Sequence, residues 1–239
     1  MNKISGNLKP KRLAIIQSNY IPWKGYFDLM ASVDEFILFD EVQYTKRDWR
    51  NRNIIKTPNG LKWLTVPVKV KGKFLQKISE TVIDGDKWRQ DHVKSIETNY
   101  KSAPFFSLFN SEFRELYDQP LSLLSDLNYV FLDKIRQYLH IQSIITRSSD
   151  YEIIPGKSER LLSLCLQSSS NVYVSGPSAR SYLDETLFLD HGVRVEWFEY
   201  SGYPEYPQLW GGFSHYVSIL DLLLNMGPSS RDYMKLHAS

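Results

Sequence analysis

AIIQSNYIPWKGYFDLMASVDEFILFDEVQYTKRDWRNRN, residues 14–53, is the stretch that decides the fold. Ala14, Ile15 and Ile16 read as a short buried strand, which stops where Gln17, Ser18 and Asn19 replace apolar side chains. Pro22 cannot continue a ladder, and Gly25 permits close backbone approach. Tyr26 to Met30 has helical spacing. Phe36 to Phe39 is a second buried strand with Asp40 at its end. Strand, helix and strand within about thirty residues make a βαβ unit, so the strands are expected to be parallel with a right-handed crossover. Open α/β sheets bind ligands outside the carboxyl ends of their strands. Gln17, Asn19, Tyr20, Asp40 and Gln43 fall at those ends, and the active site is expected there.

Outward from this unit, the chain reads as one α/β domain. Pro58-Asn59-Gly60 lies between two β-prone runs and predicts a hairpin. The lysines of VKVKGKF, residues 68–74, are expected on an exposed extension of it. Helical patterns over 87–100, 105–117 and 121–139 form a helical insertion at about 86–140. Short strands at 144–146, 172–174 and 193–200 alternate with helices starting near Lys157 and Ala179, and 218–225 is a final amphipathic helix. The expected fold is thus a mostly parallel, Rossmann-like sheet of nucleotidyltransferase-like topology, carrying a hairpin and the helical insertion within residues 13–228. Residues 1–12 are expected to be a flexible arm and 229–239 a tail.

Composition excludes several classes. The chain has 239 residues and a net charge of +2, too small to indicate a nucleic-acid binder. A single cysteine, Cys165, leaves no internal disulfide, and no histidine has a metal-ligand spacing partner. No apolar run approaches a membrane span and no signal peptide is visible, so a cytoplasmic location is expected. Aromatic content is high, 14%, and many of the rings adjoin Gln, Asn, Arg or Pro, as cleft aromatics do.

QSNYIPWKGYF, FDEVQYTKRDWRNRN, Trp88 with ETNYKSAPFF, SGPSARSYL and YPEYPQLWGGFSHYVSILDLLLNMG follow one another as successive blocks. Together they resemble the WbqC-like proteins over residues 13–228. The resemblance implies a role in bacterial O-antigen or surface-polysaccharide synthesis. It further implies amide formation, with an acyl or aminoacyl group moving from a carrier-protein thioester to an amine. No resident cofactor is expected. The donor is expected on the phosphopantetheine arm of an acyl carrier protein, and the acceptor to be a nucleotide-linked amino sugar or another amine.

Lys46, Arg47, Arg50 and Arg52 place four cations within seven residues, interleaved with Tyr44 and Trp49. Guanidinium pairs bidentately with phosphate and aromatics stack on rings, so this run suits a diphosphate. Asn51 adds a directed donor; the alternative is a solvated basic loop. Asp40, His92 and His215 are the candidate proton acceptors, against plain structural roles for each. Cys165, in LLSLCLQ, reads as a core hydrophobe rather than a nucleophile. Ser175-Gly176-Pro177-Ser178 joins a strand to a helix, as an anion site or a simple turn. Tyr203 to Tyr216 packs five aromatics between prolines and glycines. It is expected to fold over the strand ends as a second cleft wall, with Tyr206, Gln208 and His215 facing Gln17, Lys24 and their neighbours. Nucleotidyl transfer and non-catalytic binding are the competing readings. The first lacks histidines here, where Trp23 and Tyr26 stand.

Overall fold

The structure is a computed structural model that describes residues 9–236. Its centre is a five-stranded sheet of β1 (Arg12–Ile16), β2 (Glu35–Leu38), β5 (Ile144–Arg147), β6 (Val172–Ser175) and β7 (Arg194–Trp197). The strands lie in the order β5-β2-β1-β6-β7, and every pairing is parallel. The expected first unit is present: β1 crosses to β2 through α1 (Lys24–Ala31), in the register Ala14↔Phe36.

A parallel sheet needs cover on both faces, which is why its three inner strands, RLAII, EFIL and VYVS, are largely apolar, while the edge strands IITR and RVEW carry polar residues. Ala14, Phe36, Leu38, Val172 and Val174 point into the larger core. That core is closed by α1, α2 (Lys87–Tyr100), α3 (Leu124–Tyr138) and α6 (Ile219–Met226). Leu13, Ile37, Phe39 and Tyr173 point the other way, against α4 (Ser158–Gln167) and α5 (Glu185–Asp190). Each fully buried Phe or Leu contributes about 1.5–3 kcal/mol relative to exposure. Cys165 is buried in the smaller core, and burial pushes its thiol up to about 12.

The hairpin forms as β3 (Arg52–Thr57) and β4 (Gly60–Thr65), antiparallel, with Gly60 at φ +102° closing the turn. VKVKGKF does not extend it. Val66 still donates to the Asn51 carbonyl, but Pro67 has no N–H to give and the chain leaves the ladder. Residues 105–117 are not one helix either. They form a wide turn, Phe109–Phe113, and a tight one, Arg114–Tyr117. Phe109, Phe113 and Tyr117 all enter the core. A widened turn offsets the drift that four-residue spacing accumulates in a 3.6-residue helix.

Residues 11–12 of the expected arm and 234–235 of the expected tail are tied to the domain. Lys11 pairs with Glu35 at 2.7 Å, and Arg12 already belongs to β1; residues 1–8 lie outside the described residues. At the other end, Met234 is buried and the Lys235 N–H donates to Asp28 Oδ1 at 2.9 Å; residues 237–239 lie outside the described residues.

Candidate functional site

Between β1 and β6 the direction of winding reverses, since the chain builds outward from β1 on one side and from β6 on the other. The loops leaving two such neighbouring strands diverge and open a crevice at their carboxyl ends. A cleft of about 720 Å³ occupies that position. Gln17 and Asn19, from the loop after β1, line it with Trp49 and Arg50 from the basic run. The far side comes from Ser175, Gly176 and Ser178 after β6, with Tyr182 and Tyr200. Gly156, Lys157 and Arg160, at the start of α4, complete it.

The lining carries three cations, Arg50, Lys157 and Arg160, and no carboxylate. Asp48 stands 3.7 Å from Arg50, and Arg160 donates to the Ile154 carbonyl at 2.9 Å. Arg50 is held in place, its guanidinium donating to Asn19 Oδ1. The arrangement suits an anion, and Trp49, Tyr182 and Tyr200 share the lining with these cations.

Two blocks far apart in sequence are stitched together behind this cleft. The Tyr20 N–H donates to the Trp49 carbonyl at 3.0 Å. Asn53 Nδ2 donates to the carbonyls of Tyr20 and Ile21 at 3.1 and 2.9 Å. From α3, the buried Asn128 donates to Ser18 Oγ at 3.0 Å and to the Arg50 carbonyl at 2.9 Å. Asp40 accepts the Ser18 N–H at 2.9 Å. Burial raises the Asp40 carboxyl, while Ser18, Arg50 and Arg147 act in the opposite direction. Asp40 therefore positions the loop after β1 and does not line the cleft. It borders a separate pocket of about 30 Å³ beside Arg147 and Ser148.

The other expected site residues lie elsewhere. Tyr20 is fully buried; its hydroxyl meets His92 Nδ1 at 2.9 Å and the Tyr117 hydroxyl at 3.0 Å. His92 does not face the cleft. Its Nε2 lies 3.2 Å from the Thr65 carbonyl, which assigns the ring proton to Nε2, and burial pulls its pKa down to about 4. Asn51 is spent on the hairpin, donating to the Val66 carbonyl at 2.8 Å, and Gln43 on the Phe74 carbonyl at 2.8 Å. Arg47 is exposed, outside the cleft lining, at φ +59°, with its carbonyl accepting from Arg52.

The aromatic block 203–216 does not wall the cleft; Tyr200, three residues earlier, does. The block found buried partners instead. The hydroxyls of Tyr206 and Tyr100 both donate to the buried Asp221 carboxylate, at 2.9 and 2.7 Å. Trp210 donates to the Asn99 carbonyl at 2.9 Å. Gln208 accepts from Lys56 Nζ at 2.9 Å and exchanges two hydrogen bonds with the Ser214 backbone. Lys24 is buried beside the rings of Tyr203 and Tyr206 and donates to the Pro204 carbonyl at 2.9 Å; burial lowers its pKa to about 8. His215 borders a small pocket of about 10 Å³ beside Lys24, apart from the main cleft.

Lys157, Arg160, Tyr182 and Tyr200 were not singled out from the sequence. The usable signal was positional: Gly156-Lys157 precedes a helix in the connection after a parallel strand, where cleft residues originate. Among the described residues, no group of three or more His, Cys, Asp or Glu could hold a metal ion. Likewise, no helix among them is long and apolar enough to cross a membrane.

Fold and cleft define an α/β protein of the doubly wound class, with an anion-suited crevice at its switch point. The chain belongs to the WbqC-like protein family, whose sequence model matches residues 17–233. It is similar to "Uncharacterized protein Rv1507c" of Mycobacterium tuberculosis, with 54% identity over 226 residues, covering 94% of this chain and 98% of that protein. No solved structure matches it.

Proposed function

We propose that this chain is an amide-forming N-acyltransferase of surface-polysaccharide synthesis, acting in the cytoplasm, whose switch-point cleft holds the phosphate-bearing part of a substrate. The observation that carries the phosphate is the lining itself, with Arg50, Lys157 and Arg160 present and every carboxylate excluded. The chemistry follows from the family resemblance. A substrate amine attacks the thioester carbonyl, the C–N bond forms, the C–S bond breaks, and the thiol leaves with the proton lost by the amine. The protein's part is orientation and charge neutralisation. The burial of Cys165 in the smaller apolar core, away from the cleft lining, supports direct transfer over a covalent enzyme intermediate. An acyl carrier protein would present the donor, and a nucleotide-linked amino sugar would be the acceptor.

One observation favours a second reading, binding without chemistry: no histidine or carboxylate lines the cleft to accept a proton. A ligand panel separates the readings. Nucleotide-linked amino sugars, phosphopantetheine thioesters, nucleoside triphosphates and their dephosphorylated counterparts are added in a thermal-shift assay. Product is then sought by mass spectrometry. A phosphorylated ligand at a hundred times its Kd should raise Tm by about 5–10 °C. Stabilisation with new amide supports the enzyme; stabilisation without product supports the binder. Equal response to phosphorylated and dephosphorylated compounds refutes the phosphate assignment.

A further inference from the structure

Residues 60–79 contain Lys62, Lys69, Lys71, Lys73 and Lys77 and not one carboxylate. In their midst, Phe74 and Leu75 are 78% and 77% exposed, more than any other large apolar side chain of the described residues. Burying such side chains is the ordinary outcome of folding, so an adjacent pair left in water needs a reason.

The exposure is built in. The Lys73 N–H donates to the Val70 carbonyl at 3.2 Å, and the Gln76 N–H to that of Lys73 at 3.3 Å. The buried Gln76 donates through Nε2 to the Lys69 carbonyl at 3.0 Å, cinching the loop. Gln43 holds the Phe74 carbonyl at 2.8 Å. The loop therefore presents Phe74 and Leu75 from a fixed base. Lys77 is paired with Glu41 at 2.6 Å, whereas Lys69, Lys71 and Lys73 have no carboxylate partner among the described residues.

We propose that this loop docks the protein on an anionic lipid surface, with Phe74 and Leu75 entering the headgroup–acyl boundary and Lys69, Lys71 and Lys73 on the lipid phosphates. Two apolar side chains projecting between lysines fit a fluid surface that can close around them. A protein partner would instead need a pocket facing a projecting tip and a broad rim of contacts. The cations are lysines, compact charges on long stems, rather than the forked arginines used for fixed bidentate pairing. Docking here has a consequence for the cleft. Gln43 adjoins the cleft-lining Val42, and the Ile78 N–H donates to the Val42 carbonyl at 2.9 Å. The membrane-bound protein thus carries this rim of its cleft close to the headgroups. The inference stands apart from the reaction assigned to the cleft.

The test is sedimentation of the full chain with vesicles of phosphatidylcholine alone and with phosphatidylglycerol added. Binding to the mixed vesicles is expected, with little to the neutral ones. Phe74→Ser with Leu75→Ser should lower partitioning more than tenfold. Lys71→Gln with Lys73→Gln should lower it about thirtyfold, from about fivefold per lysine. Both doubles should melt with the wild type. A second measurement reads insertion directly: Leu75→Cys carrying an environment-sensitive dye, with Cys165 too buried to react, should shift to shorter emission wavelength on mixed vesicles. No sedimentation with mixed vesicles overturns the proposal and leaves an acidic protein as the loop's partner. Unchanged binding by the serine double, or an unshifted dye, overturns it in favour of plain electrostatic adsorption.

Discussion

His92 should make this fold sensitive to acid, and the size of the effect follows from its surroundings. Its ring is buried, with Nδ1 against the Tyr20 hydroxyl and Nε2 against the Thr65 carbonyl. Burial lowers its pKa from 6.5 to about 4. Between those values the unfolded chain binds a proton that the native protein refuses, so stability is complete above pH 6.5 and is lost as pH falls toward 4. One pH unit is worth about 1.36 kcal/mol per proton, which makes the loss about 2 kcal/mol between pH 7 and pH 5. Urea unfolding of the wild type and of His92→Gln across that range isolates the residue. Gln can still reach Tyr20 or Thr65 but does not titrate. The variant should start less stable and decline less steeply, the two curves converging by about 2 kcal/mol at pH 5. Parallel curves would mean that His92 is protonated in the native state, and the buried network described here would be wrong.

Arg50→Ala should weaken binding of a phosphate-bearing ligand by about ten- to a hundredfold, the worth of one charge-assisted hydrogen bond, and Arg50→Lys should not restore it; calorimetric titration at unchanged affinity would refute the assignment. Gly25→Ala should destabilise by about 1–3 kcal/mol in chemical denaturation. A Cβ at Gly25 would lie 2.3 Å from the Trp23 ring, which is itself packed against Tyr200 and Tyr203. Cys165 should stay unreactive toward a thiol reagent in the native protein and label only on unfolding, because burial holds its pKa at about 12. Fast native labelling would place that helix outside the core.

Local pattern determined the architecture. Short apolar runs with polar ends, separated by a helical stretch, can bury themselves only as parallel strands with crossovers, and so the position of the sheet's carboxyl ends was legible from Gln17, Asn19 and Asp40 onward. The chemistry of the basic run pointed to Arg50 and Trp49, which do line the cleft, and the apolar run LLSLCLQ placed Cys165 in the core. What the sequence could not decide was the direction in which a polar or aromatic side chain turns. Tyr20, His92, Tyr206 and Gln208 carry the same groups whether they meet a ligand or a buried neighbour. The neighbours that claimed them, Tyr117, Thr65, Asp221 and Lys56, lie far from most of them in sequence and are brought near only by the packing of α2, α6 and the hairpin. Nor could residue type announce Lys157, Arg160 and Tyr200, each ordinary in its own segment. Their shared crevice exists because the strand order reverses beside β1, and that reversal is a property of how the strands assemble, written in no single stretch of the chain.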